Sequence, residues 1–241
     1  MGKPKKQVIV NGRRLDGRLP DEMRPITMKL DVVSQADGSA EVRFGNTIVI
    51  ASVYGPRALY PKHLQEVETG ILRCRYNMAP FSVDERKSPG PDRRSIELSK
   101  VIRSTLEPAI FLEEFPRATI DVFVEVIQGD GSTRVTGINA ASLALASAGI
   151  PMRDLVAACS VGKINGTLVV DLNGEEDVNS ESDVNFAFLP SKDEVTLLQS
   201  DGELTKEELM QLLDYAKKNC WKIYEMQKKA LKDKYKAMES D

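Results

Sequence analysis

The chain has 241 residues, of which 41% are hydrophobic and 29% charged, and its net charge is −3. That composition fits one large globular domain or two small ones, with a core that needs no disulfide or metal staple. It excludes a chain-wide basic coat for nucleic acid, so any basic site is local; no apolar run reaches the ~18 residues of a membrane span, and no apolar stretch follows the basic start of the chain as a secretory signal requires.

Residues 1–24 are rich in Lys and Arg, show no clear period, and read as a basic arm that contacts a partner. From Ile26 the pattern turns to β, with Ile26, Met28, Leu30 and Val32 alternating with polar residues. Asp37-Gly38 signals a hairpin turn, and Ala40–Phe44 and Thr47–Val53 read as the next strands, followed by Ile71–Met78. The Pro-, Ser- and Gly-rich stretch 80–91 is a loop. Asp92 then caps a helix whose Ile96, Val101, Ile102 and Leu106 face a core.

Thr119–Ile127 is the clearest strand, with Ile120, Val122, Val124 and Val126 on one face. A Gly129–Arg134 turn follows, then a helix of small residues over Asn139–Ala148, ended by Gly149-Ile150-Pro151. Cys159–Ile164 and Thr167–Leu172 form a hairpin around Asn165-Gly166, residues 173–182 form an acidic loop, and Val184–Leu189 and Glu194–Gln199 are strands. A long amphipathic helix, about Lys206 to Tyr235, closes the chain. Hairpins mixed with helices predict an α+β fold rather than a doubly wound sheet. The order suggests that residues 25–241 are one domain of two related halves, about 25–155 and 156–241.

Some chemistry is excluded outright. Cys74, Cys159 and Cys220 form no CxxC pair and read as small buried hydrophobes in a reducing, cytoplasmic setting. His63 is the only histidine, so neither a two-histidine acid–base pair nor a His-rich zinc site can arise within one chain.

Four constellations remain. Gly129-Asp130-Gly131-Ser132-Thr133-Arg134 runs from a strand into a helix, a geometry that offers backbone N–H groups, two hydroxyls and a guanidinium to an anion such as phosphate. Taken alone it is equally a tight turn with Ser132 as N-cap. Arg93 and Arg94 stand at a helix start, where positive charge is unfavourable unless an anion joins it; solvated arginines balanced by Asp92 and Glu97 are the plain alternative. The carboxylates Glu175, Glu176, Asp177, Glu181 and Asp183 fall close together. Crowded carboxylates raise one another's pKa or recruit a divalent cation. A solvated loop explains Glu175, Glu176 and Glu181, but less well Asp183, which abuts an apolar run. Tyr60-Pro61-Lys62-His63, with Arg73 and Arg75, has the charge and aromatic content to hold single-stranded nucleic acid. Two basic sites and a carboxylate pair suit phosphoryl transfer with inorganic phosphate attacking, since that nucleophile is already anionic and needs positioning more than a base.

Several of these motifs resemble the RNase PH family, and within it the catalytic-type subunits of archaeal exosomes: Met78-Ala79-Pro80-Phe81-Ser82 with Asp84-Glu85-Arg86, Asp92-Arg93-Arg94-Ser95-Ile96-Glu97-Leu98-Ser99-Lys100, Asp130-Gly131-Ser132-Thr133-Arg134, Ala148–Asp154, Arg14-Leu15-Asp16-Gly17-Arg18 and Phe44-Gly45-Asn46-Thr47. The likeness runs from about Arg14 into the C-terminal helix. It implies an RNase PH-like α+β domain (ribosomal S5 domain 2-like) with mixed sheets and packed helices. It implies 3′→5′ phosphorolysis of RNA to nucleoside diphosphates, with the reverse reaction adding 3′ tails.

By that resemblance the phosphate site falls on Arg94, Ser132, Thr133 and Arg134, the catalytic aspartate on Asp183 with Asp177 beside it, and RNA contacts on Arg93, Arg94, Lys62 and His63. Asp183 would act as general acid or through a Mg²⁺ ion shared with Asp177. Partners implied are single-stranded RNA, a related inactive subunit alternating with this one in a hexameric ring of three heterodimers, and RNA-binding caps. The chain departs from bacterial members, which typically carry Gly-Gly-Thr-Arg where Gly131-Ser132-Thr133-Arg134 stands here. It also carries Lys62 where close relatives usually have arginine, which keeps the charge and loses the fork. Two other readings compete: a non-catalytic, RNA-threading ring scaffold, and a hydrolytic metal-dependent nuclease.

Overall fold

A computed structural model describes residues 7–10 and 12–238. The chain opens on a two-stranded ribbon, β1 (Ile9–Val10) and β2 (Arg13–Arg14), and continues into β3 (Ile26–Leu30), β4 (Gly38–Phe44) and β5 (Thr47–Ala58). β6 (Ile71–Met78), helix α1 (Arg93–Leu106) and β7 (Ala118–Gln128) follow. Strands β3 to β7 form a five-stranded sheet in the order β3-β4-β5-β7-β6, antiparallel except for β6 and β7, which run parallel. The second half contains helix α2 (Thr133–Ser147), strands β8 (Ala157–Ile164) and β9 (Thr167–Val170), helix α3 (Gly174–Asn179), strands β10 (Ser182–Leu189) and β11 (Glu194–Gly202), and helix α4 (Lys206–Met238). Its sheet is antiparallel, ordered β11-β10-β8-β9.

Helix α2 lies between the two sheets, against β4, β5 and β7 on one side and β8 and β10 on the other. Its small side chains, Ala140, Ala141, Ser142 and Ala144, are fully buried, and their size is what lets both sheets approach one helix. Gly38 shows how close: a Cβ there would sit 2.3 Å from the Ala148 backbone nitrogen. Gly38 therefore opens β4 pressed against α2, and the turn read at Asp37-Gly38 lies just before it. Helix α4 covers the second sheet with Leu212, Ala216, Cys220, Ile223 and Gln227, all buried, at the three- and four-residue spacing of one helix face.

The elements differ from expectation in four places. α2 begins at Thr133, not Asn139: a helix buried all round has no polar stripe, so its start carries no periodic signal. The acidic loop 173–182 contains α3, capped by Asn173, whose side chain accepts from Glu176 N while Glu176 reaches back to Asn173 N. Ile96, expected in the core, is 63% exposed. The described part of the basic arm is folded onto the chain's own second half, with Arg14, Arg18 and Arg24 buried; residues 1–6 lie outside the described residues. Among the described residues no helix is long and apolar enough to cross a membrane, and the three cysteines are unpaired.

Candidate functional site

Because β6 and β7 run parallel, their C-terminal ends reach the same edge of the sheet, and both lead toward helix N-termini, β6 through a loop into α1 and β7 through a tight turn into α2. A cleft of about 1100 Å³ opens there, lined among others by Phe81, Lys87, Arg94, Gly129 to Arg134, Asp177, Asp183 and Asn185. A contiguous hollow of about 580 Å³ shares Arg94, Arg134, Asp177, Asp183 and Asn185, and adds Glu97 and Asp201.

The turn into α2 is shaped by backbone geometry. Gly131 has φ +71°, and a Cβ there would meet the Asn173 carbonyl carbon at 2.5 Å and Leu172 O at 2.6 Å, so only glycine fits. Ser132 follows with φ +55° and gives the helix no side-chain cap. The first N–H groups of α2 are thus uncapped by Ser132, at a positive helix end whose residues Ser132, Thr133 and Arg134 line the cleft. The hydroxyls expected to serve an anion are partly committed inside the protein. Ser132 Oγ donates to Leu172 O at 2.7 Å and lies 2.7 Å from Ser160 Oγ. Thr133 Oγ1 accepts from the buried Tyr76 hydroxyl at 3.0 Å, which leaves its own proton to donate.

Arg134 is the anomaly. Its buried Nε has no hydrogen-bond partner among the described residues. Burial pulls its guanidinium below the ordinary arginine value, Arg94 adds to the pull, and Asp183 and Glu97 oppose it. A half-buried guanidinium with an unmet donor beside a second arginine is a place for an anion. Arg94 sits in the first turn of α1, whose N-terminus is closed by a reciprocal pair: Asp92 Oδ1 accepts from Ser95 N at 2.6 Å, and Ser95 Oγ accepts from Asp92 N at 3.0 Å.

Two carboxylates meet these cations. Burial pushes the Asp183 carboxyl up to about 6, the Asp177 charge adds to the push, and the hydrogen bond from Asn185 and the Arg134 charge oppose it. Asp183 lies within β10, paired across to Gly162 and Asp201; the strand expected from Val184 starts at Ser182 and so fixes it. Asp177 is on α3 at the mouth of the cleft. Crowding by protein raises its carboxyl too, against the pull of Arg94 and Arg134.

What holds α3 was not visible in the sequence. Glu176, next to Asp177, is buried and takes two hydrogen bonds from Arg14, Nε to Oε1 at 2.6 Å and Nη2 to Oε2. Arg14 also donates to the carbonyls of Val170 and Asp171. Arg24 clamps Asp171 with Nε at 2.9 Å and Nη2 at 2.7 Å, and donates Nη1 to Asp130 O at 2.5 Å. Burial works against ionisation of Asp171, yet Arg24 and Arg18 hold its carboxyl below the usual range. Asp130 Oδ1 in turn accepts from Gly174 N at 2.9 Å. The turn before α2 and the helix bearing Asp177 are thereby tied to one ionic cluster.

The structure brings together Arg94, Ser132, Thr133, Arg134, Asp177 and Asp183, and adds Lys87, Phe81 and Asn185, which the sequence reading gave no role. Arg93 is exposed on α1 and does not line the cleft. Lys62 and His63 are exposed in a short 3₁₀ turn, Lys62–Leu64. That turn precedes β6, whereas the cleft lies past its end, and the eight residues of β6 at ~3.3 Å each span roughly 26 Å between its two ends. Arg73 is bound to Asp121 at 2.5 and 2.8 Å on the sheet. Among the described residues no three His, Cys, Asp or Glu side chains converge as a metal site.

The chain matches two family models, 3′ exoribonuclease family domain 1 over residues 22–151 and domain 2 over residues 154–219. It is 61% identical over 230 residues to the exosome complex component Rrp41 of Pyrococcus furiosus, covering 95% of this chain and 92% of that protein. It is 54% identical to the Rrp41 of Methanopyrus kandleri, covering 97% and 98%. Its fold matches the crystal structure of rice Rrp46 with a TM-score of 0.80 at 25% identity, covering 89% and 98% of the two chains. It also matches a chain of the Archaeoglobus fulgidus exosome with RNA bound to the active site, with a TM-score of 0.79 at 24% identity, covering 89% and 92%.

Proposed function

The chain belongs to the 3′ exoribonuclease family that contains RNase PH, and from that premise we propose that it is the catalytic subunit of an exosome ring, degrading RNA from the 3′ end by phosphorolysis. The observation that carries this reading is the meeting of Asp183, its carboxyl near 6, with the incompletely paired Arg134 and with Arg94 in one cleft.

Inorganic phosphate, the co-substrate, is held by Arg94, Arg134, the Thr133 hydroxyl and the N–H groups opening α2. Ser132 contributes through the turn it locks rather than through its hydroxyl proton. A phosphate oxygen attacks the phosphorus of the last phosphodiester. The new P–O bond forms as the bond to the 3′ oxygen of the preceding ribose breaks. The leaving oxygen takes a proton from Asp183, and the products are a nucleoside diphosphate and RNA one nucleotide shorter. A carboxyl near 6 is well matched to this role, because enough of it is protonated near neutral pH and its donation remains favourable. Run backwards, the same steps add nucleotides to a 3′ end. Asp177 keeps Asp183 protonated by like charge. Asp177 and Asp183 alone give a Mg²⁺ ion two carboxylates, so an ion there would take its other ligands from phosphate and water.

The reading extends to partners: an inactive related subunit alternating with this one in a hexameric ring, and RNA-binding caps. It favours catalysis over a passive RNA-threading role because Asp183 stands among the anion-binding groups. The test is product identity. The full chain assembled with its exosome partners is given a single-stranded poly(A) oligomer. Nucleoside diphosphate released only when phosphate is present supports phosphorolysis; monophosphate released without phosphate overturns it.

A further inference from the structure

Two large apolar side chains stand in solvent at the cleft that carries Lys87, Arg94, Arg134, Asp177 and Asp183. Phe81, in the loop between β6 and α1, is 75% exposed, and Val178, beside Asp177 on α3, is 82% exposed. Both line the same cleft as Lys87, Arg94, Arg134 and Asp183. Phe81 is in none of the ring-to-ring or cation–ring contacts found among the described residues. Phosphate alone has no apolar face and would use neither residue. A nucleotide has one anionic end and one flat apolar base, which is the pairing of surfaces the cleft offers.

We propose that the cleft mouth is a base-stacking subsite in which Phe81, with Val178 beside Asp177, holds the nucleobase of the RNA's last nucleotide. This rests on the phosphorolytic reading above and names how that site takes its substrate. Neither side chain carries a hydrogen-bonding atom, so the subsite cannot read base edges. It accepts any base through its π face, as an enzyme that must proceed through every sequence requires. Positioning the base also positions the phosphodiester between Arg94, Arg134 and Asp183, making Phe81 a positioning residue rather than a catalytic one.

The experiment compares two RNA oligomers, identical except that the last nucleotide carries a base or is abasic, using the full chain assembled with its exosome partners and with phosphate present. Phe81→Ala is expected to raise KM for the ordinary oligomer roughly 5- to 150-fold, with a smaller change in kcat, while Phe81→Trp stays near wild type. The abasic oligomer should be weak for the wild type by a similar factor and lose nothing more on Phe81→Ala. A Phe81→Ala defect of equal size on both oligomers overturns the subsite, and so does no defect on either. A base-independent defect with loss of the assembled complex on gel filtration places Phe81 at a subunit seam and overturns it as well. If the wild-type assembly releases no nucleoside diphosphate, the phosphorolytic reading fails. Equilibrium binding of the same two oligomers then tests the subsite by itself: base-dependent binding lost in Phe81→Ala sustains it, and base-independent binding overturns it.

Discussion

Asn185 Nδ2 donates to Asp183 Oδ2 at 2.7 Å, the one side-chain hydrogen bond that the Asp183 carboxyl receives among the described residues. The bond favours the charged form, yet burial and Asp177 outweigh it and leave Asp183 near 6. The group is held in a state that costs the fold and that the proposed acid role requires. Asp183→Asn is therefore expected to lower phosphorolysis by ~10²–10⁴-fold, the usual contribution of a positioned acid, measured as diphosphate release by the assembled enzyme. The same change should stabilise the chain above pH 6, by on the order of 2 kcal/mol after allowance for screening, and not at pH 3.5, as read from urea denaturation. The sign follows from linkage: a carboxyl whose folded value lies above its unfolded one loses stability as pH rises between them.

The pH profile of the reaction should carry the same signature. In the proposed role of general acid, Asp183 must be protonated, so kcat is expected to fall as pH rises above about 6. Asp177→Asn removes the like charge that helps keep Asp183 protonated, so the falling limb should move to lower pH. A limb that stays in place in Asp177→Asn would show that the two carboxylates are not coupled.

The ionic cluster under α3 gives a stability prediction with functional reach. Arg14→Met leaves the buried Glu176 with only Arg18, 3.5 Å away, and removing the main partner of a buried pair costs up to ~3–5 kcal/mol. Arg14→Met combined with Glu176→Leu should recover much of that loss, because a buried pair is often replaceable by apolar groups of like volume. Denaturant midpoints of the two singles and the double close the cycle.

Gly131→Ala places a Cβ within 2.6 Å of backbone atoms on the other side of the turn, at a φ of +71°. A backbone conflict of this kind costs ~1–3 kcal/mol, and here the turn must open to relieve it. The expected result is a raised KM for phosphate at fixed RNA concentration, measured alongside the melting temperature.

Lys62 and His63 lie before β6, and the cleft lies past its end, so an RNA held in the cleft touches them only if it is long enough to reach them. Lys62→Glu should weaken binding of long oligomers, with a shallower salt dependence, and leave oligomers of two or three nucleotides unaffected. Anisotropy titrations against oligomer length test this; an equal effect at every length would place the turn nearer the reacting end.

Much of this was legible because it is local. Ile120, Val122, Val124 and Val126 alternate as a strand must, and β7 spans Ala118–Gln128. Gly131 announces a turn that no other residue fits. Asp183 stood out because it adjoins an apolar run, and burial is what sets its carboxyl near 6. α3 was hidden because its acidic composition reads as loop and its six residues carry no periodic signal, although Asn173 followed three places later by Glu176 is the spacing of the cap it forms. The roles of Arg14, Arg18 and Arg24 were hidden for a stronger reason. Their partners Asp171 and Glu176 lie in the other half of the chain, and no window of sequence contains both ends of such a bond. The exposure of Phe81 depends on a loop with no periodicity, so nothing in the sequence marked it.

The 162-residue separation of Arg14 from Glu176 also sets a clock. At ~5–20 residues per second, a ribosome delivers the second roughly 8–32 s after the first. A nascent chain spends that interval with the Arg14 and Arg24 guanidinium groups awaiting their counter-ions and with no wall on one side of its future cleft. The cleft cannot be completed on a partly made molecule; its last wall comes with the late segment that pairs Arg14 and Arg24 with Glu176 and Asp171.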